Sequence, residues 1–252
     1  GAVVEVCYSP LDTIDLAKKN PEKEFVFLSV GFETTIAPIL VLLERLIEQK
    51  IKNISLLTAF KLVPPALSAL SGDPALKIDA FLCPAHVSAI IGADAYKPYA
   101  GTKGVPCVIA GFEPLDILLG IQGILQQWVD GRAEVENQYA RVVTASGNLK
   151  AQALAKKYLE PEDAVWRGIG VIPASGLKLR SGFSSFDSTL RHHITIKPGR
   201  DHPGCRCGDV VKGICEPKEC PLFGKVCTPD AAVGPCMVSS EGSCAAAYKY
   251  GK

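Results

Sequence analysis

Seven cysteines fall between Cys205 and Cys244, while only Cys7, Cys83 and Cys107 occur in the rest of the 252-residue chain. Thiols at that density must pair, bind metal or be buried, so they constrain the segment more than its apolar content does. The block reads Cys205-Arg-Cys-Gly-Asp, Cys215-Glu-Pro-Lys-Glu-Cys220-Pro-Leu-Phe-Gly-Lys-Val-Cys227, Gly234-Pro-Cys-Met-Val-Ser and Glu241-Gly-Ser-Cys-Ala-Ala. Three readings compete. A disulfide framework calls for an even count, and residues 1–204 lack the evenly spread cysteines of a secreted scaffold. Structural zinc usually takes two close Cys-x₂₋₄-Cys hooks, whereas Cys205 and Cys207 have one residue between them and no Cys-x-x-Cys occurs. An iron–sulfur cluster takes four thiolates that can lie far apart in sequence, and Cys220-Pro221 matches the Cys-Pro of ferredoxin-type ligation. A spare pair beside such a cluster would serve as a redox dithiol. His202, just before the block, is one further donor.

The rest of the chain repeats one unit: a short apolar run, a small or polar turn, then an amphipathic helix. Ala2–Tyr8 leads to a helix of about two turns that stops near Asn20-Pro21. Glu24–Val30 leads to Gly31-Phe-Glu-Thr-Thr35 and the helix Ile36–Lys50; Ile54–Phe60 precedes Lys61-Leu-Val-Pro-Pro65. Ile78–Leu82 precedes Cys83-Pro-Ala-His-Val-Ser88, and Val105–Ala110 leads to Gly111-Phe-Glu-Pro114 and a helix ended by Asp130-Gly131. Near-continuous Val/Ile/Phe/Leu strands joined by long helices predict an α/β fold on a parallel sheet covered on both faces. Beyond Gly131, Tyr139–Val143 reads as a strand and Gly147–Leu159 as a helix. Residues Trp166–Arg180 have no clean period and read as packed irregular structure or short strands at an inter-domain surface. The division expected is an α/β region over 1–145 and, over 146–252, a region that packs on it and holds the cysteines.

Gly31-Phe-Glu-Thr and Gly111-Phe-Glu-Pro are the same turn, each after a strand and before a helix. Their glutamates, Glu33 and Glu113, sit outside the carboxyl ends of strands, where open α/β sheets gather ligands. Each either steadies its helix N-terminus or faces a ligand or partner, and Thr34 suits a helix start. His86 lies three residues after Cys83, a spacing open to metal binding, to a nucleophile and base, or to capping and packing. Lys61 could hold an anion. Cys7 and Cys107 lie within apolar runs and read as core. Neither turn is a Walker A loop or a GxGxxG fingerprint.

Lys+Arg 27 against Asp+Glu 26 leaves a charge of +1, which argues against a nucleic-acid partner, and no run of eighteen apolar residues marks a membrane span. The only methionine is Met237 and the chain opens on an apolar run, so the sequence reads as a fragment with its upstream part missing. Sparse cysteines over the first 204 residues favour a reduced, cytoplasmic setting.

The cysteine block resembles the C-terminal signature of HypD, the [NiFe]-hydrogenase maturation factor family. Tyr8-Ser-Pro-Leu-Asp12, Gly31-Phe-Glu-Thr-Thr35, His86-Val-Ser88, Gly111-Phe-Glu-Pro114, Tyr139-Ala-Arg-Val-Val143 and Trp166-Arg-Gly-Ile-Gly170 look like further blocks of that family, in order. The resemblance implies a cytoplasmic scaffold on which the Fe(CN)₂CO unit is assembled, working with a HypC-type chaperone and HypE, and indirectly with HypF and the hydrogenase large subunit. It implies two α/β domains and a region holding a [4Fe–4S] cluster on Cys205, Cys220, Cys227 and Cys244. Cys207 and Cys236 would be the neighbouring redox dithiol, with no role for Cys215. Glu33, Thr34, His86 and Glu113 would line a cleft facing partner or ligand. The family's iron-binding Cys-Gly-Thr-His motif would lie in the upstream part. On this reading the chain is an assembly scaffold with redox activity more than a turnover enzyme. The alternative is a stand-alone thiol–disulfide reductase or an ATP hydrolase.

Overall fold

A computed structural model describes residues 3–196, 199 and 201–251. The chain runs α1 (Asp12–Lys19), β1 (Phe25–Gly31), α2 (Glu33–Glu48), β2 (Ile54–Lys61), α3 (Val63–Ser71), β3 (Phe81–Pro84), α4 (Ala85–Ile91), a 3₁₀ turn at Ala93–Tyr96, α5 (Lys97–Lys103), β4 (Cys107–Ala110), α6 (Pro114–Val129) and β5 (Val135–Asn137). It continues through α7 (Leu149–Tyr158), β6 (Leu159–Trp166), β7 (Gly170–Leu179), a 3₁₀ stretch at Ser181–Phe186, α8 (Ser188–Arg191), α9 (Cys207–Val211), a 3₁₀ turn at Pro217–Glu219, α10 (Pro235–Val238) and α11 (Ser243–Tyr250).

The strand–helix alternation is therefore an α/β fold, but built on two sheets. Strands β3, β4 and β5 form one, parallel throughout in the order β3-β4-β5. The other has the order β1-β2-β7-β6: β1 and β2 are parallel, and the β6–β7 hairpin adds to β2 antiparallel. The expectation of a parallel sheet is corrected there. The stretch Trp166–Arg180 hides its strand period because β7 is buried on irregularly spaced residues, with Ser175, Gly176 and Leu177 buried in a row. Thus residues 159–179, from the C-terminal side of position 146, complete a sheet begun by β1 and β2.

Three cores form among the described residues. The first packs the apolar faces of α1 and α2 (Ile14, Ile36, Leu40, Leu43, Leu46) against β2 and β7 (Ile54, Leu56, Leu177). Helix α2 alternates its fully buried positions at the spacing of one helical face, which is why it seats on the sheet. The second core lies between the parallel sheet and helices α4 and α5, around Cys83, Tyr96, Cys107 and Ile109. The third contains Cys207, Cys227, Met237, Cys244 and Ala245.

Local expectations move in several places. The run up to Tyr8 is not a strand among the described residues: Val4, Val6 and Tyr8 stand exposed with no ladder partner, and Ala2 lies outside the described residues. Apolar content alone cannot pair a strand. The third strand sits at Phe81–Pro84 rather than Ile78–Leu82, three residues on. Tyr139–Val143 is a turn, held by Val143 N–H donating to the Tyr139 carbonyl, and the strand lies at Val135–Asn137 instead. No helix among the described residues is long and apolar enough to cross a membrane. Helix α6 carries Leu115, Leu118, Leu125 and Trp128 exposed.

Candidate functional site

Short helices and turns, each tied by its own backbone, carry the cysteines of the third core. Cys207 opens α9, Cys236 lies in α10 and Cys244 in α11. Cys220 ends the Pro217–Glu219 turn, which a capping box closes: Glu216 N–H donates to the Glu219 carboxylate at 2.6 Å. Cys227 is pinned by its own N–H to the Leu222 carbonyl at 3.0 Å and by its carbonyl to Gly224 N–H at 3.1 Å. The proline and glycine punctuation noted in the sequence produces these tight turns, and they bring distant thiols into one apolar shell.

Within that shell Cys207 is central. Its side chain stands near enough to those of Cys205, Cys236 and Cys244 to act electrostatically on each. Cys220 stands near enough to act electrostatically on Cys205 and Cys244, and Cys227 on Cys244. Burial first, and neighbouring thiols second, push the Cys205 thiol up to about 11 and that of Cys244 to about 12. Cys236 is raised for the same leading reason. The Cys220 thiol donates to the Gly204 carbonyl at 3.8 Å, and Cys227 Sγ accepts from Val233 N–H at 3.4 Å. Cys215, raised mainly by burial, faces Arg206 at the margin of the group.

The surroundings suit a bulky soft-metal group. A β-carbon on Gly234 would stand 2.5 Å from Cys205 Sγ and 2.6 Å from Cys207 Sγ, so this backbone is pressed against the thiols and only glycine fits. The donors are thiols in an apolar shell, the chemistry that iron–sulfur and zinc sites share. Among the described residues, no three His, Cys, Asp or Glu side chains are grouped to hold a single metal ion. Structural zinc asks for four donors around one point. A cluster of several irons is a larger body and asks each thiol for one iron.

The β6–β7 turn couples this shell to the first sheet. Gly168 packs on the backbone of Gly208, next to Cys207. Asp201 fastens the turn, accepting from Gly168 N–H at 3.0 Å and pairing with Arg167 at 3.4 Å, and Arg167 also donates to the Val233 carbonyl at 3.0 Å. A cavity of about 470 Å³ opens here, with Gly168, Asp201, His202, Cys205 and Cys207 on its wall. On the other side, Trp166 lies 6.0 Å from Phe32, centroid to centroid, and its indole N–H donates to Ser175 Oγ at 2.7 Å. Lys61 donates to the Val165 carbonyl at 3.0 Å and stands over the Trp166 ring, so it braces the hairpin. Asp201 was not singled out from the sequence, because nothing in a lone acid beside His202 marks it as a turn clamp, and Arg167 entered only within the Trp166–Gly170 block.

The remaining candidates fall into separate settings. Glu33 starts α2 and is 6% exposed; its Oε1 accepts from Val63 N–H at 2.8 Å while Oε2 is buried without a partner among the described residues. Burial raises its carboxyl, against hydrogen bonds from two backbone N–H groups that lower it. Thr34 is half-buried behind it. Glu113 is an exposed N-cap residue of α6 whose side chain makes no cap hydrogen bond. His86, exposed on α4, packs on Phe112 at 4.9 Å, centroid to centroid. Cys83 instead neighbours Cys107 across the parallel strands, and that neighbouring thiol together with burial raises the Cys83 thiol. Cys107 is core as expected; Cys7 is half-buried on the exposed N-terminal run and is not.

Residues 1–251 match the family model HypD, described as the hydrogenase formation hypA family. The hydrogenase maturation factor HypD of Azotobacter vinelandii is 43% identical over 258 residues, covering 100% of this chain and 68% of that protein. The HypD of Escherichia coli (strain K12) is 43% identical over 251 residues, covering 99% of this chain and 67% of that protein. The hydrogenase expression/formation protein HupD of Azotobacter chroococcum mcd 1 is 43% identical over 258 residues, covering 100% of the chain and 68% of its own length.

Proposed function

The chain belongs to the HypD family of hydrogenase formation proteins, and from that premise we propose that it is an assembly scaffold with redox activity in [NiFe]-hydrogenase maturation. Its cargo is the Fe(CN)₂CO unit, handled together with a HypC-type chaperone and HypE, and indirectly with HypF and the hydrogenase large subunit. Its setting is the cytoplasm. Cys205, Cys220, Cys227 and Cys244 are the ligands of a [4Fe–4S] cluster, and Cys207 with Cys236 is a dithiol. When bound, the cluster supplies single-electron transfers.

The observation that carries the proposal is the position of Cys207, buried in one apolar core with Cys244 while Cys205 and Cys236 pack against that core. A dithiol there gives up two protons and two electrons as its S–S bond forms, and takes up both on reduction. The apolar shell buries Cys207, Cys227 and Cys244, and the Gly168–Gly208 contact holds α9 in place. Glu33, Thr34, His86 and Glu113 belong to the strand ends and helix starts on which a partner or the cargo docks.

Anaerobic reconstitution with iron and sulfide, read by metal counts and the visible absorption spectrum, tests the ligand assignment. Cys205→Ser abolishes the cluster and Cys207→Ser keeps it. The reverse result would overturn the division of the first two cysteines, and one zinc per chain with no iron would overturn the cluster itself. Loss of cyanide-bearing iron transfer in a Cys236→Ser variant that keeps its cluster separates dithiol from ligand.

A further inference from the structure

Away from the cysteines, a cavity of about 840 Å³ opens where α2 ends, beside the loop into β2 and helix α8. Its floor is apolar: Leu46, Ile51 and Phe186 lie beneath, and Ile47 and Leu190 remain 38% and 60% exposed. The rim is basic. Arg191 is engaged with Glu24 at 2.7 Å, but Lys50 and Lys52 have no ion pair among the described residues. The nearby acid Glu48 is taken by Arg45 at 2.7 Å. In a chain of net charge +1 this is a local excess of unpaired positive charge.

Lys50 also holds an unusual conformation. The helix ends in a reciprocal pair of bonds, Ile51 N–H to the Leu46 carbonyl at 2.9 Å and Lys50 N–H to the Ile47 carbonyl at 3.2 Å. That termination puts the residue at position 50 in the left-handed region, with φ +55°, where glycine is favoured and a β-carbon is strained. A lysine kept there carries its ammonium over the groove at a cost in backbone strain. The apolar contact that accompanies such a termination, Leu46 with Ile51, is the groove floor itself.

We infer that this groove binds an acidic peptide segment of a partner protein, with apolar side chains seated on the floor and carboxylates on Lys50 and Lys52. The floor has no polar group to orient a small molecule, while the rim offers charge only at its edge, the distribution of an apolar anchor with a complementary charged border. Ser184 and Ser185 at the same rim supply hydrogen-bonding groups for a peptide backbone.

The probe is a fluorescein-labelled dodecapeptide alternating glutamate with leucine and phenylalanine, compared with its lysine-for-glutamate counterpart by fluorescence polarisation on the full chain. The acidic peptide binds saturably and more weakly as salt rises, and the basic one does not bind. Lys50→Glu combined with Lys52→Glu weakens binding by about tenfold or more. Lys50→Gly relieves the strained backbone and melts later than the parent, yet binds the acidic peptide less well, which separates the side chain's binding role from any role in folding. Equal binding of the two peptides, unchanged binding in both variants, or capture by phosphatidylglycerol vesicles with no peptide binding would each overturn the inference.

Discussion

The carbonyl of Gly168, at the tip of the β6–β7 hairpin, occupies the space that a β-carbon on Gly208 would need. The thiol shell and the first sheet are thus in backbone contact, one residue from Cys207. Gly208→Ala must push the hairpin tip and α9 apart and costs about 1–3 kcal/mol of stability. The displacement also raises the rate at which Cys207 reacts with a thiol reagent. Gly182→Ala, where nothing lies within 4 Å of the new carbon, is the control and is neutral or slightly stabilising. Equal urea midpoints for the two variants would show that the contact is soft.

Gly234 makes a second such contact, this time with sulfur. Its missing β-carbon leaves room for Cys205 Sγ and Cys207 Sγ at 2.5 and 2.6 Å. Gly234→Ala shifts both thiols together, so iron bound after anaerobic reconstitution falls by half or more while far-ultraviolet circular dichroism is unchanged. Full iron content in this variant would mean that the shell adapts and that the glycine serves only the turn into α10.

Strand–helix alternation was legible in the sequence because most elements announce themselves over a whole turn or strand: α1, α2, α6 and α7 lie within two or three residues of their expected limits. The β6–β7 hairpin was not, since its strand pairing depends on β2, more than a hundred residues upstream, and its burial pattern follows that neighbour. The cysteine block could be read as a group from composition alone. Its internal order could not be read from spacing, which ranks Cys205 and Cys207 alike; the division between them came from the family resemblance, and folding adds that Cys207 shares a buried core with Cys227 and Cys244. The His86 and Cys83 spacing left metal binding, a nucleophile and base, or capping and packing open; the helix that starts at Ala85 turns His86 to the surface against Phe112 and leaves Cys83 to the core with Cys107.

That buried pair supports a separate prediction. Cys83 is 3% and Cys107 0% exposed, in an apolar core with Tyr96 and Ile109. The register matches Phe81 with Cys107 and Cys83 with Ile109, so the two cysteines are diagonal neighbours. An offset of two residues along a strand, about 6–7 Å, added to an inter-strand spacing of about 4.8 Å puts their Cα atoms about 8 Å apart, beyond the reach of an unstrained disulfide. Native alkylation followed by mass spectrometry therefore leaves both unlabelled, and neither forms a disulfide under oxidant. Replacing both with alanine lowers stability by about 1 kcal/mol each and leaves reconstituted iron unchanged. Iron loss in that variant would mean that these thiols belong to the metal chemistry.

Glu33 gives the fold a pH dependence of known sign. Its carboxyl is buried at the start of α2, with one oxygen on Val63 N–H and the other without a partner among the described residues. Burial is the leading cause of its raised pKa, and the backbone hydrogen bonds only partly oppose it. In the unfolded chain the group ionises in the ordinary carboxylate range, so above that range the folded state binds more protons than the unfolded one. Stability then falls as pH rises from the ordinary value through the raised one, and is fully present below both. Glu33→Gln keeps an acceptor for Val63 and supplies a neutral donor in place of the acid proton. Urea unfolding between about pH 5 and pH 8 should show the parent losing ground and the variant ahead by about 1–2 kcal/mol at the alkaline end. The two curves converge at the acid end, where both side chains are neutral. A gap that widens toward acid pH instead would mean that Glu33 is ionised in the fold, its second oxygen held by a cation or donor.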